Sequence, residues 1–153
     1  MSNDIKVEIV GLDKLKSALK RAPVVALSEI GKAMQKSALT IQSNAIKEAP
    51  VNKGHGGGNL RQNIKVQSVT KTKAVIRSGA KYSLFVEEGT KPHQIRPRVK
   101  RALADTRNKL FFGKLVNHPG TKANPYMQRA LKKSMLKVNE FFKKALDNIV
   151  NTL

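Results

Sequence analysis

Two stretches of the chain carry apolar residues at every third or fourth position. Over residues 24–49, Leu27, Ile30, Met34, Ala38, Ile41 and Ala45 lay one stripe along a long helix, which Pro50 closes. Toward the other end, Met127, Leu131, Met135, Val138, Phe142, Ala145 or Leu146, and Ile149 make a second stripe. Asn124 before Pro125 fits an N-cap followed by a first-turn proline, so the second long helix is expected to open there. Leu12, Leu15 and Leu19 predict a shorter helix that Pro23 ends.

Other segments alternate with a period of two. "IKVEIV" at 5–10 reads as a short strand, and residues 64–69 and 74–78 read as a hairpin around a Thr-Lys-Thr turn. "LFFGKLV" at 110–116 is the next strand, with 99–104 as its expected partner across "DTRN". Residues 82–88 suit a single helical turn or an irregular edge. Residues 51–63 have no periodicity and four glycines, and 91–101 are basic and broken by prolines. Both are expected to be flexible loops or assembly arms. Strands clustered between long helices indicate an α+β fold, a mainly antiparallel sheet packed against two long amphipathic helices, with a long basic loop. At 153 residues the chain fits a single domain, 1–153.

Charge adds a partner class. The chain holds 30 Lys+Arg against 10 Asp+Glu, a formal net charge of +20. Residues 64–123 carry 14 basic and 3 acidic side chains, so the excess sits in the middle. Such a surface attracts polyanions or acidic proteins. No apolar run approaches the roughly 18 residues of a membrane span, and the start of the chain lacks the layout of a secretory signal. The protein is therefore expected in a cytoplasm or in a particle assembled there, with no membrane partner. The absence of cysteine excludes disulfides, thiolate metal sites and a thiol nucleophile.

Several residues invite a chemical reading. Glu87, Glu88, His93 and His118 are metal-ligating types, yet no two histidines lie within reach by spacing, and adjacent glutamates point apart on a helix or a strand. No metal site is expected. Ser83 and the paired carboxylates lack a third orienting group or a nucleophile elbow, so no catalytic residue and no cofactor is expected. "GHGGG" at 54–58 lacks the Lys-Ser/Thr pair of a phosphate loop and reads as a hinge. Lys91, Arg96, Arg98, Lys100 and Arg101 suffice for non-specific phosphate contact. Tyr82, Phe85, Phe111 and Phe112 lie in segments where burial accounts for them, leaving few stacking platforms. The two Gly-Thr-Lys tripeptides, at 89–91 and 120–122, are too short to count as a repeat.

Three motifs in order resemble the morphogenesis family of lambdoid long-tailed phages, described as tail-completion or head-tail joining proteins. The matching residues are Ala49, Pro50, Val51, Gly54, Leu60, Arg61 and Ile64; then Tyr82, Val86, Glu87, Gly89 and Thr90; then Pro119, Gly120, Thr121, Pro125, Tyr126, Met127 and Ala130. The chain departs from the pattern where Asn52-Lys53-Gly54 replaces Asp-Thr-Gly, and where "HGGG" precedes Asn59. The resemblance implies a non-enzymatic structural protein at the head-tail junction of a virion. It also implies self-association, commonly in a six-fold ring, and contact with other neck and tail proteins, the basic segment facing either an acidic neighbour or, without sequence specificity, double-stranded DNA. On this view Tyr82, Phe85 and Val86 anchor the core, Glu87 fixes the Gly89-Thr90 turn, and the five basic residues after it touch the partner. The alternative is a basic, non-specific nucleic-acid-binding module, supported by net charge alone. A small toxin-like enzyme would need a catalytic constellation that is missing.

Overall fold

The first apolar stripe folds as helix α1 (Val24–Glu48) and the second as helix α4 (Tyr126–Val150). A computed structural model describes residues 24–52, 57–98, 102–105 and 109–151. The strand expected over 5–10, the helix over 12–22 and residues 53–56 of the glycine connector lie outside that set. Between the long helices come α2 (Asn59–Gln62), β1 (Ile64–Val69), β2 (Ala74–Ser78), α3 (Ser83–Glu88), β3 (His93–Ile95), β4 (Leu103–Asp105), β5 (Leu110–Gly113) and β6 (Val116–His118). The fold is α+β, as the order of periods predicts. Its strands pair as three antiparallel two-stranded ladders, β1–β2, β3–β6 and β4–β5. Two compact units divide the chain, one comprising residues up to Leu84 and from Pro125, the other Phe85–Asn124.

In the first unit α1 and α4 run antiparallel. Three side-chain ties fix this direction: Asn148 Nδ2 donates to Glu29 at 2.8 Å, Asn44 Nδ2 to Ser134 Oγ at 2.8 Å, and Arg129 Nε to Glu48 at 2.9 Å. Ala26, Ile30, Ala33, Met34, Ser37, Ala38, Ile41 and Ala45 are buried along α1. That face is broader than the predicted stripe, because α4 and the β1–β2 hairpin both pack on it.

On α4 the seam differs from expectation in its first half. Ala130 and Ser134 are buried, whereas Leu131 is half-buried and Met135 exposed. Small residues let the helix backbones approach closely enough for the Asn44–Ser134 bond. Ser37 and Ser134 tolerate burial because each hydroxyl donates to the carbonyl four residues earlier, Ala33 and Ala130 respectively, at 2.7 Å. The second half follows the stripe, with Val138, Ala145 and Ile149 buried and Phe142 packed on Ala26, Ile30 and Ile149.

Two glutamates on α1 take up part of the positive charge. Glu48 receives Lys133 and Arg129, and these hydrogen bonds hold its carboxyl below the usual carboxylate range. Glu29 is lowered in the same way by Lys32 and Asn148.

The hairpin has the predicted strands and turn. Thr70 closes the turn through its N–H to the Lys73 carbonyl at 2.7 Å, and its hydroxyl accepts from the Lys73 N–H at 3.0 Å. Ala74, Ile76 and Ser78 of β2 are fully buried on the period-two face turned to the core, and Val75 between them is buried as well. Helix α4 begins one residue later than expected. Pro125 itself occupies the cap position, with no side-chain capping bond, so Asn124 is not the N-cap. The Asn124 N–H instead donates to the Val86 carbonyl at 2.9 Å, which draws that residue into the preceding loop.

Candidate assembly surface

The first of the three motifs finishes α1. The Ala49 N–H completes a last helical bond to Ala45 at 2.9 Å before Pro50 stops the helix. The terminal carbonyls then need donors, and Arg61 supplies them. Its Nε donates to the Ala49 carbonyl at 2.9 Å and its Nη2 to that of Lys47 at 3.3 Å. Leu60 is buried beside it, and Gln42 Nε2 donates to the Ile64 carbonyl at 3.0 Å. Leu60, Arg61 and Ile64 thus lock the helix end to the first strand. Within the segment expected to be a flexible loop, Asn59–Gln62 is a helical turn.

The second and third motifs meet each other in the second unit. Thr90 and Thr121 form an antiparallel bridge, with N–H to carbonyl bonds of 3.0 and 3.1 Å and hydroxyl oxygens 3.0 Å apart. Each threonine follows a glycine of positive φ, +76° at Gly89 and +87° at Gly120. A Cβ at Gly89 would lie 2.4 Å from the Thr121 carbonyl oxygen, and one at Gly120 would lie 2.2 Å from that of Thr90. Both positions demand glycine for space as well as for conformation. The two Gly-Thr-Lys tripeptides, distant in sequence, are therefore the two halves of one clasp.

From the clasp the chain continues into the β3–β6 ladder, where His93 pairs with His118 and their rings stack with centroids 5.0 Å apart. Their separation in sequence puts these histidines out of reach along any one element, whereas the pair lies across two strands. His93 Nδ1 donates to the Lys91 carbonyl at 2.9 Å, and His118 Nδ1 accepts from the Gly120 N–H at 3.0 Å. A metal bound by both rings would have to displace the Gly120 bond or take Nε2 from its proton. Among the described residues no group of three metal-ligating side chains exists. Glu87 is buried and Glu88 exposed, the divergence expected of neighbours on a helix.

The basic segment leaves the clasp at Lys91. It is not wholly a loop, because His93–Ile95 is a strand paired with Val116–His118. Lys91, Arg96 and Arg98 are exposed, and none makes an ion pair among the described residues. Among the described residues, Arg96 Nη2 donates to Gln94 Oε1 at 3.4 Å. Lys100 and Arg101 lie outside the described residues.

The aromatic expectations need correction. Tyr82 and Phe85 are 42% and 51% exposed and are not core anchors. Helix α3 buries Ser83 and Glu87, four residues apart on one face, which turns Phe85 away. Val86 is half-buried. Phe111 and Phe112 are exposed too, against the expectation that burial accounts for them. A usable signal was present: "LFF" lacks the alternation of a strand with one covered face.

Residues 13–89 match the model of the HK97-gp10-like family, described as "Bacteriophage HK97-gp10, putative tail-component". No curated protein and no solved structure matches the chain. No helix among the described residues is long and apolar enough to cross a membrane.

Proposed function

The chain belongs to the HK97-gp10-like family of phage tail components, and on that basis we propose that it is a structural virion protein of the head-tail junction, acting in tail completion or head-tail joining. The family match carries this reading, and the order of the three motifs supports it. In this role the clasp of Gly89, Thr90, Gly120 and Thr121 is scaffold, and the basic residues beyond it are contact. Lys91, Arg96 and Arg98, with Lys100 and Arg101, meet neighbouring neck and tail proteins or the DNA that passes the junction. Copies of the chain associate as a ring, with six as the expected number. Repetition of a weak basic contact around a ring adds up through effective concentration. The subunit works without catalysis, cofactor or metal, and both units act together as one tail-completion domain.

Disruption of the gene in the phage that encodes it tests the role. Heads and tails should accumulate unjoined, or with incomplete tails, in electron micrographs of the lysate. Normal infectious particles would refute it.

A second reading, a free nucleic-acid-binding module, has the +20 charge in its favour. It requires the isolated protein to bind duplex DNA tightly, with affinity falling steeply as salt rises. Binding that is weak at physiological salt leaves the structural role in possession.

A further inference from the structure

Hairpin β4–β5 carries apolar side chains where a free surface strand normally carries polar ones. Leu110 is 52% exposed and Phe111 75%, and these neighbours pair in regular register with Asp105 and Ala104. Successive residues of a regular strand face opposite sides, so neither face of this ladder is covered. Phe112 and Leu115, close by in sequence, are exposed as well. A two-stranded ladder is marginal in water by itself and gains stability when a further layer covers it. Apolar residues bare on both faces suit insertion into a socket better than docking on a flat surface.

Charge selects the occupant. Lys109 and Lys114 flank the patch and are exposed, and residues 85–124 contain 9 Lys/Arg against 3 Asp/Glu. A second copy of the chain would bring like charge against like. Duplex DNA offers phosphates for the lysines but no apolar socket for Leu110 and Phe111. An apolar pocket rimmed by carboxylates satisfies both the ring faces and the ammonium groups.

We infer that the β4–β5 hairpin is an insertion finger, seated in an apolar, acid-rimmed pocket of a different tail protein. This rests on the tail-component reading above and adds to it the element and the chemistry of the contact. It also separates two tasks, a dry anchor at Phe111 and an electrostatic contact at Lys91, Arg96 and Arg98.

The test places a photo-cross-linking benzoyl-phenylalanine at position 111 of the full chain, expressed in cells producing the phage. The expected product joins the finger to a tail protein of the particle, at a peptide whose apolar residues are bounded by Asp or Glu. The Lys109→Glu/Lys114→Glu variant should lose that product. Cross-links to another copy of the chain or to DNA, or none in normally joined particles, would overturn the inference. So would binding of the wild-type protein to phosphatidylglycerol vesicles that Phe111→Ser abolishes, since the finger would then be a lipid anchor. Separately, Phe111→Ser/Phe112→Ser should keep the wild-type melting midpoint and reduce joined particles at least about tenfold. Wild-type yield from this variant would overturn the finger alone, because gene disruption tests the tail role independently.

Discussion

Gly89 and Gly120 each lie against the carbonyl of the threonine that follows the other, so the two segments interlock reciprocally. Neither contact can relax cheaply, since the obstructing atoms are backbone. Gly89→Ala and Gly120→Ala should each cost about 2 kcal/mol or more, combining positive-φ strain with a steric clash. Hydrogen exchange would show the loss first at the Thr90 and Thr121 amides. A substitution of either glycine that leaves both amides protected would contradict the interlock.

Arg61 makes a second sharp prediction. Its fork serves two carbonyls at the end of α1, a geometry that an ammonium group does not reproduce. Arg61→Ala should lower stability by about 1–3 kcal/mol, and Arg61→Lys should recover only part of it. Urea unfolding of the three proteins gives the comparison.

How far the sequence revealed the fold depends on whether an element is decided by its own residues. Both long helices and the β1–β2 hairpin were legible, since Ile30, Met34 and Ile41 repeat at helical spacing and Ala74, Ile76 and Ser78 alternate. The choice of Ser134 over Met135 for the α4 seam was not, because it depends on how closely another helix approaches. Phe85 was misplaced for a similar reason: α3 is short, and its buried side is chosen by what it meets. The clasp residues were legible one by one, as a family pattern. Their pairing was hidden, because thirty-one positions separate Thr90 from Thr121 and no local period connects them.

Acid should weaken the α1–α4 pair through Glu48. Its folded-state pKa is depressed by Lys133 and Arg129, so its contribution is complete above the unfolded-state value and is lost as the pH falls through the folded-state value. Glu29 adds a contribution of the same sign. Glu48→Gln should destabilise the protein at neutral pH and flatten its stability profile on the acid side. Thermal melts of wild type and variant across that range give the result; parallel profiles would contradict the assignment.

Core and surface should respond differently. Ile41 is fully buried between α1 and its neighbours, and Ile41→Ala should cost about 2–5 kcal/mol in denaturant unfolding. Lys91→Glu/Arg96→Glu/Arg98→Glu changes only exposed side chains and should shift stability by less than about 1.5 kcal/mol. The triple variant should nevertheless fail to complement a gene disruption. Full complementation by a folded triple variant would remove these residues from the contact surface.

Electron cryo-microscopy of the intact virion would locate the chain in the particle. The expected map holds a ring of subunits at the head-proximal end of the tail, each recognisable by the antiparallel pair α1 and α4, with the segment from Lys91 to Arg98 turned toward a neighbouring protein or the DNA. A complete map of the head-tail junction and tail without this chain would contradict that placement.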